Sequence, residues 1–313
     1  MKKYAIGFVC GALLASASVV YAADAIKATL FPVKYVVNGE QKDLSTGYHT
    51  INVEGRAYVP VRFIAESLDA VVVYDDASKS IELDNTFHMK SMYTRVKAGH
   101  LQVKQEGNGS LVTGKLYVGQ SYWDSFDGAK FSFPPGTEVN VGGRIAFYDA
   151  DGVPMAKENV SFPLTAGGDR MLDFEFVTET DVSNYDYASL ESVGPEPLDM
   201  FLPPPAVHVS DATNSLGICY SSMIRDGDYT KIQYELAVLK PERYRFNAKV
   251  DYYDELGKLL GTAHIAFTGQ GPYEIEGPGS SDYPYTYETA AKGDVTGAAS
   301  YKLTVEEMEV ISD

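Results

Sequence analysis

The sequence predicts an α+β N-terminal module, an antiparallel sheet with one helix, followed by two all-β sandwich domains. Three observations carry this prediction. One helical apolar stripe occurs near the N-terminus, strand-like runs between Gly, Pro, Asn and Asp turns fill the rest, and one hairpin pattern occurs twice. A chain of 313 residues with 23 Tyr, 14 Phe and 28 Gly also favours sheets over helices.

Met1-Lys2-Lys3 precedes an apolar run from Tyr4 to Val20, broken only by small residues, and Val20-Tyr21-Ala22 supplies the small residues a signal peptidase reads. Residues 1–22 are therefore expected to be a signal peptide, cleaved after Ala22. The run is short for a bilayer, so no membrane span is expected after cleavage. Cys10 lies too early in it, behind Gly7-Phe8-Val9, for a lipid anchor. Losing Lys2 and Lys3 moves the formal charge from −17 to −19, which repels nucleic acid and anionic lipid. Cys219 is then the one cysteine left, so no intrachain disulfide can form. Export without disulfides suits a Gram-positive-type envelope. Cys219 sits in the apolar run Leu216-Gly217-Ile218-Cys219-Tyr220 and reads as a buried small hydrophobe. A Leu-Pro-x-Thr-Gly sorting motif, an apolar C-terminal tail and surface-layer repeats are not evident, so free secretion or non-covalent retention is expected.

The module covers residues 26–84. Ala28-Thr29-Leu30-Phe31 and Lys34-Tyr35-Val36-Val37 read as two strands closed by the turn Asn38-Gly39, and Arg56-Ala57-Tyr58-Val59 as another, ended by Pro60. Val61, Ile64, Ala65 and Leu68 then form one apolar helical stripe, with Pro60 set for a helix start. A hairpin follows, from Ala70–Tyr74 through Asp75-Asp76-Ala77-Ser78 to Lys79–Leu83. Tyr58-Val59-Pro60-Val61-Arg62-Phe63-Ile64-Ala65-Glu66-Ser67-Leu68, with the hairpin through Asp75-Asp76 to Ile81, resembles the copper amine oxidase N-terminal-like ("stalk") domain. That resemblance implies a non-catalytic stalk module of exported Gram-positive proteins. Asp69 stands where the family usually has glycine, and Tyr74 where it has tryptophan. Asp can adopt the left-handed cap and Tyr can fill an aromatic slot.

Residues 86–195 and 206–313 read as the two sandwiches, with a Pro-rich linker at 196–205. Ile145-Ala146-Phe147-Tyr148-Asp149-Ala150-Asp151-Gly152 aligns with Val250-Asp251-Tyr252-Tyr253-Asp254-Glu255-Leu256-Gly257, and Val160-Ser161-Phe162 with Ile265-Ala266-Phe267, at a spacing of 105 residues (147 to 252). Each copy is a strand, an acidic-Gly turn and a second strand. The pattern resembles FxLYD-type immunoglobulin-like modules of bacterial envelope proteins, with Ile145 and Val250 replacing the leading phenylalanine. That resemblance implies that both sandwiches are immunoglobulin-like. The stretch Gly269 to Asp294 reads as a long mobile loop.

Copper amine oxidase chemistry needs a His-x-His pair, a third histidine and a Thr-x-x-Asn-Tyr-Asp/Glu motif. Here His49, His88, His100, His208 and His264 are scattered, and Asp181 stands where Thr should precede Asn184-Tyr185-Asp186. No Gly-x-Ser-x-Gly, His-Glu-x-x-His, Cys-x-x-Cys or phosphate-cradling loop occurs. No catalytic residue, cofactor or metal ligand is therefore expected, and Asp149-Ala150-Asp151-Gly152 reads as a hairpin turn rather than a calcium loop. Two aromatic groups could stack on sugar: Tyr122, Trp123 and Phe126 in one loop, and Tyr283, Tyr285 and Tyr287 at strand spacing. The sequence thus points to an exported, non-catalytic envelope stalk or scaffold on the extracellular face. A binder of cell-wall polysaccharide or envelope proteins is the alternative, and a hydrolase with two carboxylates about 5 to 10 Å apart the third reading.

Overall fold

The computed structural model describes residues 26–44, 47–92, 96–119, 122, 136–191, 206–273 and 284–311. The signal peptide and the linker predicted from sequence lie outside these residues. The chain divides into two compact units, Met1–Asp69 and Ala70–Asp313.

In the first unit, β1 (Ala28–Leu30) is followed by β2 (Tyr35–Val37) and β3 (Glu40–Lys42). Asn38 and Gly39, at φ 52° and 85°, supply the two left-handed residues of a tight turn and hand β2 directly to β3. The predicted pairing of the first two strands therefore does not occur. β1 pairs instead with β4 (Ile51–Val53), which continues through Glu54-Gly55 into β5 (Arg56–Tyr58). Helix α1 spans Val61–Ser67, and Asp69 takes the left-handed conformation at φ 67°. Its buried face differs from the predicted stripe: Val61 and Leu68 are exposed, whereas Phe63 and Ala65 are buried. Phe63 is the bulkiest apolar side chain of the helix, and its ring meets Tyr35 edge-on at 4.7 Å.

The second unit opens with the predicted hairpin, β6 (Val71–Asp75) and β7 (Ser80–Asp84). The Asp75 carboxylate holds its turn, accepting from the Ala77 amide at 2.9 Å and the Ser78 hydroxyl at 2.5 Å. Val71 packs with Phe87 and Tyr117 in a small apolar cluster, so the hairpin rests on the β body that follows it.

That body is a duplication. β8 (Met89–Lys90), β9 (Val96–Glu106), β10 (Gly109–Val118), β11 (Glu138–Tyr148), β12 (Pro154–Thr165), β13 (Arg170–Thr178) and β14 (Tyr187–Glu191) form two sheets, ordered β13-β10-β9-β8 and β12-β11-β14. β15 (Val209–Ser210), β16 (Leu216–Asp226), β17 (Tyr229–Val238), β18 (Arg243–Tyr253), β19 (Leu259–Gln270), β20 (Tyr285–Lys292) and β21 (Ser300–Val310) form one, ordered β15-β16-β17-β20-β19-β18-β21. The second order is the first with its two sheets joined at the single pair Ala263–Ala291. β18 and β19 begin and end 105 residues after β11 and β12, so the repeat seen in sequence extends over both hairpins. In both turns one aspartate does the same work: Asp149 Oδ1 accepts from the amides of Asp151 and Val153, and Asp254 Oδ1 from those of Leu256 and Lys258.

Strand alternation turns an apolar set inward in each half, including Leu116, Ile145 and Phe147 in the first and Ile232, Tyr234 and Phe246 in the second. The interiors differ most in volume where a glycine is matched by a tyrosine, Gly114 by Tyr234. Gly114 faces Phe174 across β10–β13, and Tyr234 faces Tyr287 across β17–β20. A Cβ on Gly114 would lie 2.4 Å from the Phe174 ring, whereas Tyr234 fills its own space and meets the Tyr252 hydroxyl at 2.5 Å. The expected loop over Gly269–Asp294 is corrected by β20, which buries Tyr287 and Ala291 in the second core. Its alternating inward residues outweigh the Gly, Pro and Ser that precede it.

Two expectations follow. Asp211 is buried and its carboxylate accepts from the amides of Thr213 (2.8 Å), Ser215 (2.6 Å) and Leu216 (2.8 Å). Burial opposes its charge, but these donors outweigh it and hold the carboxyl below its ordinary range. Asp211→Ala is expected to cost about 2 kcal/mol at pH 7 in urea unfolding. A lowered folded pKa gives stability that is complete above the unfolded value of about 3.9 and lost as pH falls through the folded one. The two proteins should therefore converge in stability below about pH 4, and a difference constant down to pH 2 would contradict this account.

Cys219 is free and 1% exposed. Burial, aided by Glu235, pushes its thiol up to about 11. A thiol reagent at pH 8 should label it only after guanidinium unfolding; rapid labelling of the native protein would place the thiol at the surface.

Candidate functional site

The densest buried polar chemistry lies where the two β halves meet. Outward-facing residues of β11, β12 and β14 pack against those of β17 and β20. Tyr148 and Ala146 cluster with Tyr229 and Ala290, and the Tyr187 and Tyr229 rings stack at 4.4 Å. At the centre, Glu191 is 1% exposed and receives three donors: Arg144 Nη2 at 2.7 Å, Lys157 Nζ at 2.7 Å and the Tyr148 hydroxyl at 2.7 Å. Burial works against the Arg144 charge, but Glu191 more than offsets it and raises the guanidinium pKa. Burial, reinforced by Glu191, pushes the Tyr148 phenol well up, so it remains a neutral donor.

Several bonds cross the joint. Lys157 Nζ donates to the Glu288 carbonyl at 2.7 Å, and Lys231 Nζ to the Leu190 carbonyl at 2.9 Å. Lys231 is buried, which lowers its pKa against the pull of Glu288, Asp226 and Glu191. At the margin, the Tyr187 hydroxyl donates to Asp226 (2.7 Å), the Tyr229 hydroxyl to Asp186 (2.6 Å), and Lys292 Nζ to the Ala150 carbonyl (2.8 Å). These groups spend their donors and acceptors on one another, so the arrangement can fix two bodies together.

A second feature opens to solvent. On the outer face of β9, β10 and β13, a depression of about 400 Å³ is lined by His100, Gln102, Thr113, Gly114, Lys115, Asp173, Phe174 and Glu175. His100 takes φ 53°, and the β9–β10 register shifts between Thr113 and Lys115. Its imidazole is held by Asp84 at 2.5 Å, while Lys115 Nζ lies 2.7 Å from Asp173, whose side chain is 83% exposed.

Of the aromatic residues nominated from sequence, Tyr122, Tyr285 and Tyr287 are among the described residues. Tyr122 is buried in the first core. Tyr285 and Tyr287 share a face, as strand spacing predicted, but it is the face that meets Phe267. Their hydroxyls accept the Gln270 and Ala266 amides, both at 2.9 Å. Trp123, Phe126 and Tyr283 lie outside the described residues. Tyr185 of the Asn-Tyr-Asp segment packs on Phe147 at 5.3 Å, and Asp186 accepts from Tyr229. Among the described residues, no group of three or more His, Cys, Asp or Glu could hold a metal ion.

The joint was missed in sequence because Arg144, Tyr148 and Glu191 sit at alternate strand positions that read as a solvated face. The usable signal was Ala146 and Ser189, small residues between them on faces expected to be exposed.

Fold and site together describe a small α+β module leading a duplicated β body. Residues 14–83 match the family model of the copper amine oxidase N-terminal domain, a non-catalytic, stalk-like module. No match covers the oxidase's catalytic domain. No curated protein matches the chain, and no solved structure matches it.

Glu191→Ala would leave the partly buried Arg144 and Lys157 cations without the carboxylate that neutralises them. Its expected cost is about 3 kcal/mol in chemical unfolding. A loss below about 1 kcal/mol would mean that water takes over the carboxylate's place.

Proposed function

We propose that the chain is an exported, non-catalytic scaffold of the cell envelope, holding its immunoglobulin-like β halves as one stiff body. The observation that carries this reading is the joint: among the described residues the most buried charged side chains, Glu191, Glu288 and Lys231, all lie there, and Lys157 and Lys231 bond from one half to the other. A stalk-like N-terminal module is consistent with the same use. The net charge of −17 suits a protein kept in solution between surfaces, meeting wall polysaccharide or envelope proteins.

The hydrolase reading finds less support. Asp173 and Glu175 line the open depression, but Asp173 is bound to Lys115 and faces water, without the apolar setting that tunes a general acid. Export is tested by expressing the chain in a Gram-positive host and sequencing the protein released from, or protease-accessible on, intact cells. A form beginning at Ala23 is expected; intracellular protein retaining Met1 would overturn the proposal.

A further inference from the structure

The geometry points to the depression on β9, β10 and β13 as a binding site for a hydroxyl-rich ligand, a short saccharide segment. Three features support it, none of which depends on export. First, the cavity is built by the backbone: a register shift and a left-handed His100 open the sheet where both neighbouring strands are otherwise regular. Second, the floor between the outward side chains of Thr113 and Lys115 is bare backbone at Gly114, whose partner across the ladder, Phe174, turns its ring into the core. Third, the lining mixes donors and acceptors at the ends of side chains fixed on strands. Gln102 and Thr113 offer both senses, Lys115 donates, and Asp173 and Glu175 accept.

A sugar ring presents that mixture, with several hydroxyls that each donate and accept. The Lys115–Asp173 pair neutralises itself at 2.7 Å, so an uncharged ligand meets no net local field from it. The open, shallow form suits a single ring, for which affinity is of order millimolar. A polymer such as wall glycan would be retained through many weak contacts.

The test is a ¹H–¹⁵N titration of the purified protein with N-acetylglucosamine trimer and, separately, cellotriose. Shifts confined to amides around His100, Gln102, Thr113, Lys115 and Glu175 are expected, with at least one of the two sugars. The pair of probes distinguishes acetamido sugars from plain hexoses. Thr113→Val and Glu175→Ala, both at positions facing outward, should each weaken binding at least tenfold while the rest of the spectrum stays in place. No shifts with either sugar at tens of millimolar would overturn the proposal. So would shifts centred on the Trp123 indole, or binding that Thr113→Val and Glu175→Ala leave unchanged.

Discussion

Much of the described β body depends on one constraint: a carboxylate buried between two sheets must be neutralised where it stands. Glu191 meets that constraint with Arg144, Lys157 and Tyr148, all from its own half. Because Lys157 also caps the Glu288 carbonyl, neutralising the charge and docking the other half are the same act. An isolated charge pair of this kind gains little over apolar packing. What it adds is direction, since the ammonium groups of Lys157 and Lys231 each reach a backbone carbonyl of the opposite half.

The duplication shows how identical topology supports unlike interiors. Each half keeps its aspartate-held turn and its buried amide–hydroxyl contact, from Val182 to Ser110 and from Val295 to Thr230. Those contacts fix backbone path, which leaves side-chain volume free to move between strands. In one half a glycine is filled from across the ladder by Phe174; in the other a tyrosine fills its own place. Close packing demands that the volume be supplied, and not from which strand.

The sequence revealed what short-range rules govern. The Asn38-Gly39 and Asp75–Ser78 turns, the left-handed Asp69 and the repeated β-hairpin were all legible because each is specified within a few residues. Pairing of β1 with β4 was not, since two short strands carry too little pattern to choose partners. The helix face was misread because a seven-residue helix has room for one anchor, and ring size rather than periodicity selected Phe63. Burial of Glu191 was invisible for a deeper reason: an outward strand position reads as polar whether it meets water or a neighbouring sheet.

The hairpin of β6 and β7 has a consequence for how this chain is divided. The family match takes it into the segment that ends at residue 83, yet its inner valines rest on Phe87 and Tyr117, beyond that limit. A fragment cut where the family ends would carry the hairpin away from its support, and the remainder would begin with a bared aromatic patch. Family similarity and packing draw different borders here, and a recombinant fragment should follow the second.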